Sequence, residues 1–170
     1  MRDLTLSSVR SLLSLIPQDP LLLGLNLRSA LTCGIPVPDE EIWSTLKTVH
    51  MDETIQKREG GLDMQLNFGE NNFSAGEKQL LCAARALLKK APILLCDEVA
   101  SSLDQNSDEI INNIILNDDR TVISIMHRLQ HCSRFDRIVV LSDGEIVEIG
   151  THDQLLAMKG LFYEMINVQR

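Results

Sequence analysis

A helix that is apolar on almost every side is stable only inside a fold, and residues 75–89 describe one. Leu80, Leu81, Cys82, Ala83, Ala84, Ala86, Leu87 and Leu88 leave hardly any polar stripe. Ser74 stands as its N-cap with Glu77 three residues on, a capping box, and Lys89-Lys90 close it where the helix dipole favours cations. Ala91-Pro92 breaks the chain, and residues 93–96 (I-L-L-C) then read as a strand buried on both faces of a parallel sheet. The pairing of a buried helix with a buried strand predicts an α/β fold on a parallel sheet.

Two places in this stretch point to chemistry. Strands of parallel sheets present ligand sites at their carboxyl ends, and Asp97 and Glu98 stand at this one. Two adjacent acids there are costly unless they meet a cation or a strong donor. Asp97 suits magnesium, directly or through water, and Glu98 suits orienting or deprotonating a water. Solvated acids at an ordinary strand end are the plain alternative. The helix start offers the second place: Gly76 removes a side chain from the first turn, so an anion could approach N–H groups at the positive end of the dipole. A capping box with no ligand is the plain alternative there.

The flanking sequence supplies further elements. Residues 11–16 read as a strand entering Pro17-Gln18-Asp19-Pro20, a rigid extended loop. Asp39 is a candidate N-cap for a helix carrying Ile42, Leu46 and Val49 at helical spacing, and residues 51–58 suggest a second short helix. Residues 108–116 carry the stripe Ile110, Ile111, Ile114 and Ile115, and residues 121–126 read as the next strand with His127 at its end. Asp143-Gly144 marks a hairpin between residues 137–141 and 145–149. Thr151 and Gln154 form a second capping box, and Gly160 separates that helix from a last amphipathic one. Arg85, inside the buried helix, calls for a carboxylate partner.

Together these segments resemble the nucleotide-binding domain of ABC transporters. Residues 73–79 (F-S-A-G-E-K-Q) look like its signature motif, 93–98 its Walker B strand, 16–20 its Q-loop, 100–104 (A-S-S-L-D) its D-loop and 127–129 its switch loop. The wording of residues 72–88 and 160–165 is most similar to the second cassette of the multidrug-resistance-associated, C-type exporters. The resemblance implies a P-loop NTPase-type parallel sheet with a helical subdomain over about 21–90 and a Walker B-to-C-terminal part over about 91–170. It implies ATP and Mg2+ as cofactors. Gln18, Asp97, Glu98 and His127 would serve the cassette's own site, and Ser74, Gly76 and Glu77 that of a second nucleotide-binding domain, with Asp104 between. Closure on ATP would drive transmembrane domains from the cytoplasmic face of a membrane.

Departures from the pattern carry their own expectations. Ala75 and Glu77 occupy positions more often glycine and glutamine, and Glu77 adds a negative charge near a phosphate unless a cation offsets it. These 170 residues contain no G-x-x-x-x-G-K-[ST] loop, and about sixteen precede Pro17, so the domain is expected to be N-terminally incomplete, to lack a central strand and to be inactive alone. A non-catalytic module that lends its signature helix to an intact cassette is the alternative.

Composition narrows the field. The formal net charge of -8, with no basic run, argues against a nucleic-acid face. It also weakens the case for a soluble ABC ATPase of DNA repair or translation, as does the lack of a coiled-coil insertion. Cys33, Cys82, Cys96 and Cys132 show no metal spacing and read as small buried hydrophobes. No apolar run reaches the eighteen or so residues needed to cross a bilayer, so a membrane connection would come through partners.

Overall fold

Three short apolar runs become the strands of one parallel sheet, in the order β1 (Leu13–Ile16), β2 (Ile93–Asp97), β3 (Thr121–Ile125). Leu13 pairs with Ile93 and Ile93 with Thr121, so the carboxyl ends of all three strands lie along one edge. The computed structural model describes residues 5–66, 73–99, 103–126 and 128–168, in two compact units, 1–126 and 127–170.

The first unit is built around helix α5 (Ala75–Leu88), whose Leu81, Cys82, Ala83 and Ala84 are wholly buried. An all-round apolar helix needs neighbours on several sides. It finds them in α2 (Leu27–Thr32), α3 (Asp39–Thr48), β1 and α6 (Gln105–Leu116). Helix α1 (Leu6–Ser11) and α4 (Asp52–Gln56) complete this unit's α-helices among the described residues. Ile42, Leu46, Val49 and Ile55 fill the core as their spacing requires.

Among the described residues, the two faces of the sheet differ in burial. Ser14, Ile16, Leu94 and Cys96 are buried, whereas Leu15, Ile123 and Ile125 on the alternate face are each more than half exposed. Parallel sheets are ordinarily covered on both faces.

Local differences from the sequence reading have local causes. Pro38, not Asp39, is the N-cap of α3, and the Asp39 carboxylate instead takes the guanidinium of Arg28, which also reaches Asp63 at 3.0 Å. The helix expected from 108 begins at Gln105, because Asp104 caps it. Residues 51–58 hold only the short α4. Cys82, Cys96 and Cys132 are buried as anticipated, and burial pushes the Cys96 thiol up to about 12. Cys33 is exposed and ends α2 with φ of 52°.

In the second unit a 3-10 segment (Leu129–Arg134) precedes the hairpin β4 (Ile138–Ser142) and β5 (Glu145–Gly150). Asp143 (φ 51°) and Gly144 (φ 83°) form its two-residue turn, the conformation for which Asp-Gly is favoured. Thr151 and Gln154 cap α7 (His152–Met158) reciprocally, as their spacing predicts. Helix α8 (Leu161–Val168) is capped by a residue distant in sequence: Glu148 accepts from the N–H groups of Leu161 (2.6 Å) and Phe162 (3.1 Å). A Cβ on Gly160 would fall 2.1 Å from that carboxylate. Gly160→Ala is therefore expected to expel the Glu148 cap and cost about 1 kcal/mol in urea unfolding. The same change in a Glu148→Ala background should cost almost nothing more.

Candidate active site

The edge formed by the strand ends gathers residues far apart in sequence. Ile16 pairs with Cys96, so the loop after β1 and the acids after β2 start side by side. The Gln18 side-chain amide donates to Glu98 Oε2 at 2.9 Å across 80 residues of sequence. Glu98 has φ of +45°, a left-handed conformation uncommon outside glycine, and its N–H donates to the Ile125 carbonyl at 3.1 Å. The ladder thus continues one residue past β2 while the chain turns off the strand. Asp97, half-buried, shares the open face of the sheet with Ile123 and Ile125.

Among the described residues no group of three or more His, Cys, Asp or Glu side chains is placed to hold a metal by itself. One carboxylate at a strand end fits a magnesium that arrives with phosphate and water ligands, the usual mode for that ion. His127, the residues Ala100, Ser101 and Ser102 of the expected D-loop, and Asn72 lie outside the described residues.

The second place is the start of α5. Ser74 Oγ accepts from the Glu77 N–H (3.2 Å) and Glu77 Oε2 accepts from the Ser74 N–H (2.7 Å), completing the expected capping box. Ser74 and Ala75 are exposed and Gly76 is half-buried, so this tip is open to solvent rather than sunk in the core. The space a Gly76 side chain would take is occupied from within: a Cβ there would lie 3.1 Å from Ser107 Oγ and 3.3 Å from Asp104 Oδ2. Glycine is what lets the starts of α5 and α6 approach. Asp104 accepts from the N–H groups of Asn106 and Ser107 (3.1 Å each) and from Ser107 Oγ (2.9 Å). Its carboxyl is held below the usual range, chiefly by the Ser107 backbone N–H.

A cation offsets Glu77. Arg58 reaches Glu77 Oε1 at 3.4 Å, and its guanidinium lies 4.3 Å from the centre of the buried Phe73 ring. Sequence reasoning missed Arg58, since nothing in the spacing from 58 to 77 signals the pair.

It also mistook the partner of Arg85. That side chain donates to the Leu21 carbonyl at 2.8 Å and touches Cys82 Sγ, so its partner is a backbone carbonyl and not a carboxylate. Six residues earlier on α5 the buried Gln79 donates to the Pro17 carbonyl at 2.8 Å.

Comparison with known proteins places this arrangement of sheet and helices in a family. The ABC transporter family model matches residues 1–101, and the chain belongs to that family. Its relatives include the multidrug resistance-like ATP-binding protein MdlB of Buchnera aphidicola, 37% identical over 95% of this chain and 28% of that protein. ATP-binding cassette sub-family C member 2 of Mus musculus is 40% identical over 94% of this chain and 10% of its own length. Among solved structures, a bacterial Atm1-family ABC exporter with ATP bound superposes with a TM-score of 0.86 at 32% identity, over 96% of this chain and 29% of that one. The fold is therefore that of an ABC cassette, and the C-type resemblance holds. The chain spans less than a third of the length of each of these proteins. No helix of the described residues is long and apolar enough to cross a membrane.

Proposed function

We propose that the chain is part of an ATP-hydrolysing cassette of a C-type ABC exporter, working against a second nucleotide-binding domain beneath transmembrane domains at the cytoplasmic face of a membrane. The contact between Gln18 and Glu98 carries this reading, because it joins two segments 80 residues apart at the edge where parallel sheets bind ligands. In the cassette's own site Glu98 orients or deprotonates the attacking water, Gln18 holds that water or the metal, Asp97 holds Mg2+ and His127 reaches the terminal phosphate. Magnesium, when bound, neutralises charge developing on the transferred phosphoryl group. Ser74, Gly76 and Glu77 serve the nucleotide of the second domain through the N–H groups of the α5 tip, and Asp104 lies where the two domains meet. The parts of the cassette are a helical subdomain over about 21–90 and the remainder over about 91–170.

The 170 residues alone are expected to show no ATP turnover, since they contain no G-x-x-x-x-G-K-[ST] loop to cradle the phosphates. Manganese with ATP should still broaden the amide NMR signals of Gln18, Asp97 and Glu98 before those of the β4–β5 hairpin. Turnover that disappears on Glu98→Gln, or broadening confined to the hairpin, contradicts the proposal.

A further inference from the structure

We infer that Gln79 and Arg85 are positioning residues for Gln18, making α5 the bracket that holds the glutamine loop at both ends. The inference rests on reading Gln18 as a residue of the ATP site. Residues 17–21 form no helix or strand of their own, and Pro17 and Pro20 cannot donate backbone hydrogen bonds. A segment of this kind owes its position to outside contacts.

Two such contacts come from one rigid helix. Gln79, 1% exposed, binds the carbonyl of Pro17, immediately before Gln18, and Arg85 binds the carbonyl of Leu21, three residues after it. The buried amide of Gln79 gives its donor to that bond while its own carbonyl oxygen has no hydrogen-bond partner among the described residues. An apolar residue would fill such a position at less cost, because a buried polar atom without a partner is penalised. The amide there is explained by what it holds. Between the two anchored carbonyls, Gln18 is left pointing at Glu98. The same helix presents Ser74 at its tip, one turn and a half before Gln79. A movement of α5 imposed at the tip is thereby transmitted to Gln18, which links the contact made to one nucleotide with the water-handling residues of the other.

Hydrogen exchange and NMR on the whole 170-residue chain test this. Gln79→Met and Arg85→Met keep bulk and remove one anchor each, and each should speed exchange of the Gln18 side-chain amide protons about tenfold, the weight of one hydrogen bond. Arg85→Lys, which keeps a donor, should restore most of the protection. Leu88→Ala, which weakens the same helix away from residues 17–21, serves as the control for general loosening. Unchanged Gln18 exchange in both methionine variants, or an equal rise in Leu88→Ala, overturns the inference. Failure of the nucleotide reading would leave these rates as expected and show instead as a lack of manganese broadening at Glu98.

Discussion

Arg120→Met should destabilise the first unit by about 3 kcal/mol, because removing one member of a largely buried ion pair strands the other. Arg120 Nη2 lies 2.5 Å from Asp118 Oδ2, and the two side chains are 17% and 7% exposed. The guanidinium also donates to Asp118 Oδ1 (2.7 Å) and to the carbonyls of Ala86 (3.2 Å) and Ala91 (3.3 Å). It therefore ties the end of α5, the entry to β2 and the entry to β3 together. Changing Asp118→Asn in the same background should recover part of the loss, since a neutral amide is cheaper to bury than an unpaired carboxylate.

The pair also sets an acid limit. Hydrogen bonding from Arg120 holds the Asp118 carboxyl below its ordinary range. Its stabilisation is complete above the unfolded value of about 3.9 and is lost as pH falls through the lower folded value. In Arg120→Met, Asp118 is a buried acid without its cation and its carboxyl rises, so acid should stabilise the variant where it weakens the parent. Urea midpoints between about pH 3 and 6 check both signs.

The other large effect belongs to the tip of α5. Ser74→Arg removes the cap oxygen and sets a long side chain across the N–H groups proposed to face a neighbour's nucleotide. ATP-dependent association with an intact, hydrolysis-blocked cassette should weaken at least about 100-fold, or roughly 2.7 kcal/mol. Ser74→Thr keeps the cap and should associate as the parent does. The capping loss alone is worth only about 1 kcal/mol, so a 100-fold effect measures the blocked tip rather than a frayed helix.

What could be read from the sequence was what depends on local periodicity and short-range chemistry. The capping boxes at Ser74 and Thr151, the Asp143-Gly144 turn and the buried α5 each follow from residues within a few positions of one another. Helix α2 escaped because its box uses Asn26 with Ser29, where the usual pattern ends in Glu or Gln. The partners of Arg58, Arg85 and Gln79 escaped for a different reason. Arg58 meets the Glu77 carboxylate across 19 residues that carry no helical spacing. Arg85 and Gln79 bind backbone carbonyls, which carry no sequence signature, over 64 and 62 residues that only the packing of α5 on β1 brings together. The motif residues of the edge were legible only as a set: Gln18 alone is a loop residue, and its meeting with Glu98 comes from the register of β1 on β2. The open sheet face at Leu15, Ile123 and Ile125 was not read from the strands, since continuous apolar runs look alike whether one face is covered or two.

The start of α5 is proposed to sit against a nucleotide held by another cassette, and a disulfide cross-link reads out that placement. Ala75→Cys places a thiol on the exposed first residue of α5, with the exposed Cys33 changed to serine. Mixed with an intact cassette that carries one cysteine in its phosphate loop, this variant is expected to form a disulfide with ATP present and not with ADP. Equal cross-linking with either nucleotide, or none with ATP while the variant remains folded, would contradict the claim.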